Sequence, residues 1–89
     1  MFKPVTTNRF EKDIKLAIKR GKNIDKIKKI IEMLLEGKKM ASKYCDHPLT
    51  CNYVNRRECH IEPDWLLIYK ISDNEIIFER TGTHSDLFK

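Results

Sequence analysis

A change of hydrophobic period part-way along the chain is the feature that most restricts its fold. Up to residue 36 apolar side chains recur at helical spacing, whereas from residue 53 onward they alternate. With 89 residues there is room for one core and no separate binding domain. Helices and strands must therefore share that core, which predicts a single α+β domain over residues 1–89 with helices on one face of a sheet.

Residues Phe2 to Thr7 read as a short strand. Asn8 and Glu11 stand at capping-box spacing, and Phe10, Ile14, Ala17 and Ile18 form one apolar stripe of a first helix. Gly21 ends it, because glycine accepts the left-handed conformation beyond a helix C-terminus. Asn23 caps a second helix whose buried side is marked by Ile24, Ile27, Ile31, Leu34 and Leu35, with Ile30 beside them, and Gly37 is its stop. The short Gly21-Lys22-Asn23 link predicts an antiparallel hairpin. Residues 38–50 read as an irregular connection.

Beyond it, Tyr53 to Ile61 alternates, with Arg57, Cys59 and Ile61 on one face and Arg56, Glu58 and His60 on the other. Glu62-Pro63-Asp64 is a turn. Trp65 to Ile71 is apolar on both faces, which suits a central strand. Ser72-Asp73-Asn74 turns into a last strand, Glu75 to Thr81, with Ile76, Phe78 and Arg80 on one face, and the tail has room for one helical turn. The expected sheet is antiparallel, of about four strands.

Charge separates the two halves. Residues 1–43 hold 13 Lys and Arg against 5 Asp and Glu, and residues 44–89 hold 5 against 8. A net charge of +5 favours polyanion partners, although a lysine-rich solvated helix surface explains the same numbers. No apolar run approaches a membrane span and no secretory leader is visible, so a cytoplasmic protein without a membrane partner is expected. The three cysteines lack CxxC spacing and read as reduced thiols.

All three histidines, His47, His60 and His84, lie in the second half, near Asp64, Arg80 and the aromatic Phe88. Cleavage of RNA requires a base for the ribose 2′-hydroxyl, an acid for the departing 5′-oxygen and a fixed cation for the charged transition state. An aromatic ring can hold an unpaired base. These side chains match that set, while any single histidine taken alone reads better as an ordinary hydrogen-bonding residue. Zinc is the competing reading, since Cys45, His47, Cys51, Cys59 and His60 are suitable ligand types. Their spacing does not form paired knuckles, and Cys59 and His60 point to opposite faces of a strand.

Three blocks carry a resemblance. They are Lys43-Tyr44-x-Asp46-His47-Pro48-Leu49, then Arg57-Glu58-Cys59-His60-Ile61-x-Pro63-Asp64-Trp65-Leu66-Leu67-Ile68-Tyr69, then Arg80-Thr81-Gly82-Thr83-His84-Ser85-Asp86-Leu87-Phe88. Together with Lys19-Arg20-Gly21-Lys22 they resemble the YafQ group of the RelE toxin superfamily over nearly the whole chain. Met40, in place of an expected proline, and Cys51, in place of glycine, depart from the pattern, and both touch the segment carrying His47.

The resemblance implies a RelE-like fold and a type II toxin that cleaves mRNA in the ribosomal A site without a metal or other cofactor. It implies a DinJ-like antitoxin as partner, with operator DNA reached only through the antitoxin complex. Carried over by position, the catalytic set is His84, His60, Asp64, Arg80 and His47. In this scheme His84 is the proton donor, His60 or Asp64, with His47, assists the base step, and Arg80 stabilises the phosphate. Phe88 and Trp65 would contact the nucleotide, and Lys19, Arg20 and Lys22 the RNA phosphates. The alternative is a non-catalytic corepressor acting with its antitoxin on DNA, for which three proton-transfer groups have no evident use.

Overall fold

The computed structural model describes residues 1–38, 44, 46–48 and 56–88, with the side chain of His47 excepted. Strand β1 (Lys3–Thr6) is followed by helices α1 (Asn8–Lys19) and α2 (Ile24–Leu35). A two-residue strand β2 (His47–Pro48) precedes β3 (Arg57–Glu62), β4 (Trp65–Ile71), β5 (Glu75–Gly82) and one helical turn, α3 (His84–Leu87). Residues 53–55 of the expected first long strand lie outside the described residues.

Local chemistry sets the helix boundaries. Thr7, one residue before the expected cap, is the N-cap of α1: its Oγ1 accepts from the Phe10 amide at 3.0 Å and donates to the Glu79 carbonyl at 2.9 Å. The same hydroxyl thus caps a helix and ties it to β5, which Asn8 would not do from inside the first turn. Asn23 caps α2 as expected, accepting from the Asp25 amide at 3.0 Å. Gly21 and Gly37 follow the two helices with φ of 78° and 73°.

The sheet order is β1-β5-β4-β3-β2, which places β4 at the centre as its two-faced apolar pattern requires. Among the described residues the sheet is mixed and has five strands, where an antiparallel sheet of about four was expected. β1 runs parallel to β5, because the helix pair carries the chain away from the sheet before it returns, and a crossover of that kind permits parallel neighbours. The fifth strand is the short β2, paired with Arg57 and Glu58.

Both long helices cover one face. Phe10 and Ala17 of α1 and Ile27, Ile30 and Leu34 of α2 share a core with Cys59, Ile61, Trp65, Leu67, Tyr69, Ile76 and Phe78. Ile30 thus belongs at the centre of the buried stripe of α2, while Ile18, expected in that of α1, is exposed. On the opposite face Leu66 and Ile68 pack against Leu87 of α3. Among the described residues no helix is long and apolar enough to cross a membrane.

One irregularity changes the face assignment of β5. Ile68 pairs with Arg80 but Tyr69 pairs with Phe78, so Glu79 is the extra residue of a bulge. Beyond it Thr81 takes the helix-side position, buried and bonded to Trp65, and Arg80 pairs across from Ile68 on the other face. The expected common face of Ile76, Phe78 and Arg80 therefore ends at Phe78.

Candidate active site

The site forms where the ends of β3, β4 and β5 meet α3, on the sheet face that the long helices leave uncovered. Alternation along β3 sends Cys59 into the helix-side core and leaves Glu58 and His60 together on the opposite face. His60 Nε2 lies 2.9 Å from Glu58 Oε1. The turn after β3 places Asp64 against α3, where its Oδ1 accepts from the His84 amide at 2.9 Å and meets His84 Nδ1 at 2.6 Å. The two imidazoles approach edge to face with centroids 5.8 Å apart, and Phe88 stands 6.4 Å beyond His84.

These contacts define proton positions. An ionised carboxylate only accepts hydrogen bonds. The backbone N–H of His84, and then its ring, hold the Asp64 carboxyl below the usual carboxylate range, so Asp64 is ionised near neutrality. Nδ1 of His84 therefore carries the proton of that bond, which leaves Nε2 as the nitrogen not engaged by Asp64. His60 is held through Nε2 by Glu58, which is 5% exposed.

A clamp fixes α3. Thr83 and Asp86 form a capping box, with the Thr83 amide donating to Asp86 Oδ2 at 2.9 Å and the Asp86 amide donating to Thr83 Oγ1 at 3.1 Å. Arg20, the C-cap of α1, adds two bonds to the Asp86 carboxylate, at 2.7 and 3.3 Å. Arg20, and after it Thr83, hold the Asp86 carboxyl far below its ordinary range. The close approach leaves no space at Gly82, where a Cβ would lie 2.9 Å from Asp86 Oδ2.

The structure brings His60, Asp64, His84 and Phe88 into one chain of contacts and adds Glu58, which was not singled out from the sequence. Its signal was available, since Glu58 and His60 are two apart on one strand and must share a face. His47 joins through its backbone, which pairs with Glu58. The preceding residue, Asp46, anchors that strand by accepting from Arg57 Nε at 2.8 Å and from the Tyr69 hydroxyl.

Other expected site residues lie outside this chain of contacts. Arg80 is held by Asp13 of α1, through Nε at 2.8 Å and Nη2 at 3.2 Å. Trp65 is a core residue, 1% exposed, with its indole N–H donated to Thr81 Oγ1 at 3.0 Å, so a base has no access to its ring. Arg20 is engaged by Asp86 and Lys22 by Glu62 at 3.3 Å, with the Lys22 ammonium 5.7 Å from the Trp65 ring centre. Lys19 is exposed in the last turn of α1.

Metal-ligating chemistry is present in a different combination from the expected zinc competitor. Glu58, His60 and His84 offer ligand atoms within 4.8 Å of one another. Cys59 is enclosed in the core, and burial, followed by the charges of Asp46 and Glu58, pushes its thiol up, away from the thiolate a metal needs. Cys45 and Cys51 lie outside the described residues.

The fold is that of bacterial toxins of type II toxin–antitoxin systems. The family model for the bacterial toxin of type II toxin-antitoxin system, YafQ, matches residues 2–89, and the chain belongs to that family. The chain is 45% identical over 83 residues to the mRNA interferase toxin YafQ of Escherichia coli strain B/BL21-DE3, spanning 92% of this chain and 90% of that one. It superposes on the toxin of the E. coli DinJ-YafQ complex with a TM-score of 0.93 at 41% identity, covering 100% of both chains. A metal-bound toxin from Helicobacter pylori is similar as well, with a TM-score of 0.93 and 38% identity over 99% of this chain and 100% of that one.

Proposed function

We propose that this chain is an mRNA interferase, a toxin that cuts mRNA in the ribosomal A site by acid–base catalysis with no metal requirement, and that a DinJ-like antitoxin holds it inactive in the cytoplasm. The observation that carries this reading is the pair of imidazoles 5.8 Å apart, each held by its own carboxylate. Two proton-transfer groups this close together can serve the attacking and leaving oxygens of one phosphodiester. His60, held by Glu58, takes the proton of the 2′-hydroxyl as the O2′–P bond forms. His84 gives the proton at Nε2 to the 5′-oxygen as the P–O5′ bond breaks.

Asp64 then acts through His84, fixing its tautomer and ring orientation, and is a positioning residue instead of the base. The backbone of His47 sets its strand beside Glu58, which supports an assisting part in the base step. Arg80, fixed by Asp13, supplies positive charge for the phosphate. Phe88 is 40% exposed beside His84 and is the ring on which a base of the codon stacks. Lys19 and Lys22 add long-range attraction to RNA, with Arg20 contributing charge from its clamp.

Induction of the chain in bacteria, with mapping of mRNA 5′ ends, tests the reading. Growth arrest with cuts in frame with codons is expected, and intact messages would overturn it. His84→Ala is expected to lower the cleavage rate by on the order of 10²–10⁴, the usual worth of a positioned general acid. A His84→Ala protein that cut at the wild-type rate would remove His84 from the mechanism.

A further inference from the structure

The catalytic chain of contacts does not end at His60. That residue also lines a cleft of about 520 Å³ between α2 and β3. β2 pairs only with Arg57 and Glu58, so β3 runs on past it without a strand neighbour on that side among the described residues, and the cleft lies along this stretch. Ile30, Ile61 and Pro63 give it an apolar floor, and Tyr44 contributes an aromatic wall.

Its rim is positive. Glu62 accepts from Lys26 at 2.8 Å and from Lys22 at 3.3 Å. Lys26, and after it Lys22, hold the Glu62 carboxyl below its ordinary range, so the acid remains ionised and fixes both ammonium groups at the cleft. Lys29 lines the same cleft as Lys26, which puts two lysines against one carboxylate there, with Lys22 bonded to that carboxylate from beside the cleft. A floor that accepts a flat apolar surface, an aromatic wall and excess positive charge are what an unpaired nucleotide needs.

We propose that this cleft seats the nucleotide next to the scissile phosphate, with its base against Tyr44 and the apolar floor and its phosphate at Lys26 and Lys29. Phe88 then serves one side of the histidine pair and the cleft serves the other, so the RNA is held on both sides of the bond that breaks. The assignment rests on the ribonuclease reading given above and adds a second seat to it.

The test is cleavage on ribosomes programmed with mRNAs that vary one nucleotide at a time around the cut, using wild type, Lys29→Ala and Tyr44→Ala. A rise in KM of roughly tenfold is expected for Tyr44→Ala, the scale of one lost base–aromatic stack, with the loss falling on KM instead of kcat. Preference at the nucleotide adjacent to the cut should weaken in the same variant. Lys29 is exposed, so Lys29→Ala tests the cleft even if Tyr44→Ala does not fold. Unaltered KM and preference in Lys29→Ala, combined with weaker antitoxin binding, would overturn the assignment and make the cleft an antitoxin dock. A second measurement needs no cleavage: titration with a 2′-O-methyl RNA oligonucleotide while the Ile30 and Ile61 methyl resonances are followed by NMR. Shifts at both isoleucines are expected. Shifts confined to Phe88 would sink the second seat while leaving the ribonuclease reading intact.

Discussion

Glu58 spends its carboxylate on His60 inside a nearly closed environment, whereas Asp64 does the same for His84 at the open surface, 65% exposed. The two carboxylates therefore fail differently. Glu58→Ala removes a hydrogen bond from the half-buried His60 imidazole, which costs about 0.5–1.5 kcal/mol in stability and misplaces the proposed base. Cleavage and melting temperature should fall together, which activity assays and thermal melts would check. The cluster Glu58, His60 and His84 also has the geometry to take up a soft divalent ion. On the proposed mechanism a chelator leaves cleavage unchanged and added zinc inhibits, because the metal occupies the nitrogens that move protons. Loss of activity in chelator, restored by a metal, would refute the metal-free scheme. At this scale the histidines, Asp64 and Phe88 stood out in the sequence, and four of these residues, His60, Asp64, His84 and Phe88, meet in the structure. Glu58 was passed over because a lone acid on a strand has no motif, and Trp65 was misassigned because being part of a matched block does not reveal burial.

Helix α3 is a single turn, too short to persist by itself. Its position comes from the Arg20–Asp86–Thr83 clamp on one side and Leu87 against Leu66 and Ile68 on the other. Gly82→Ala would drive a methyl group into Asp86 and displace the turn that carries His84. The expected result is a folded protein whose cleavage rate falls at least tenfold, checked by circular dichroism alongside activity. The clamp also sets a pH dependence. Asp86 has a folded value below its unfolded one, so its contribution is complete above the ordinary carboxylate range. It is lost only as pH falls through the folded value, and α3 should stay docked through mildly acidic conditions. Amide exchange of residues 84–87 as a function of pH measures this. Element types and most boundaries were readable from period and capping chemistry. The Glu79 bulge was not, because an extra residue in one strand is visible only against its partner, and it reversed the face on which Arg80 sits.

Across the whole molecule the central strand was evident from its apolar character on both faces, but the parallel pairing of β1 with β5 was not, since nothing in either segment specifies its neighbour. Cys59 gives a probe of the finished assembly. It is fully enclosed and its thiol is pushed up, so alkylation requires the core to open. In a protein with Cys45 and Cys51 replaced by serine, labelling of Cys59 in native buffer should proceed at the rate of opening and accelerate steeply in denaturant. Rapid native labelling would mean the helix layer does not cover the sheet as described.

The tie between Thr7 and Glu79 spans 72 positions, and β1 has no sheet partner until β5 exists. During translation, α1 and α2 therefore leave the exit tunnel well before the strand against which α1 packs, and the turn bearing His84 comes later still. Closure of the fold and assembly of the proposed cutting site are thus consecutive, late events of synthesis. A chain that cuts ribosome-bound mRNA, as proposed for this one, would in this way be harmless to the ribosome that is making it.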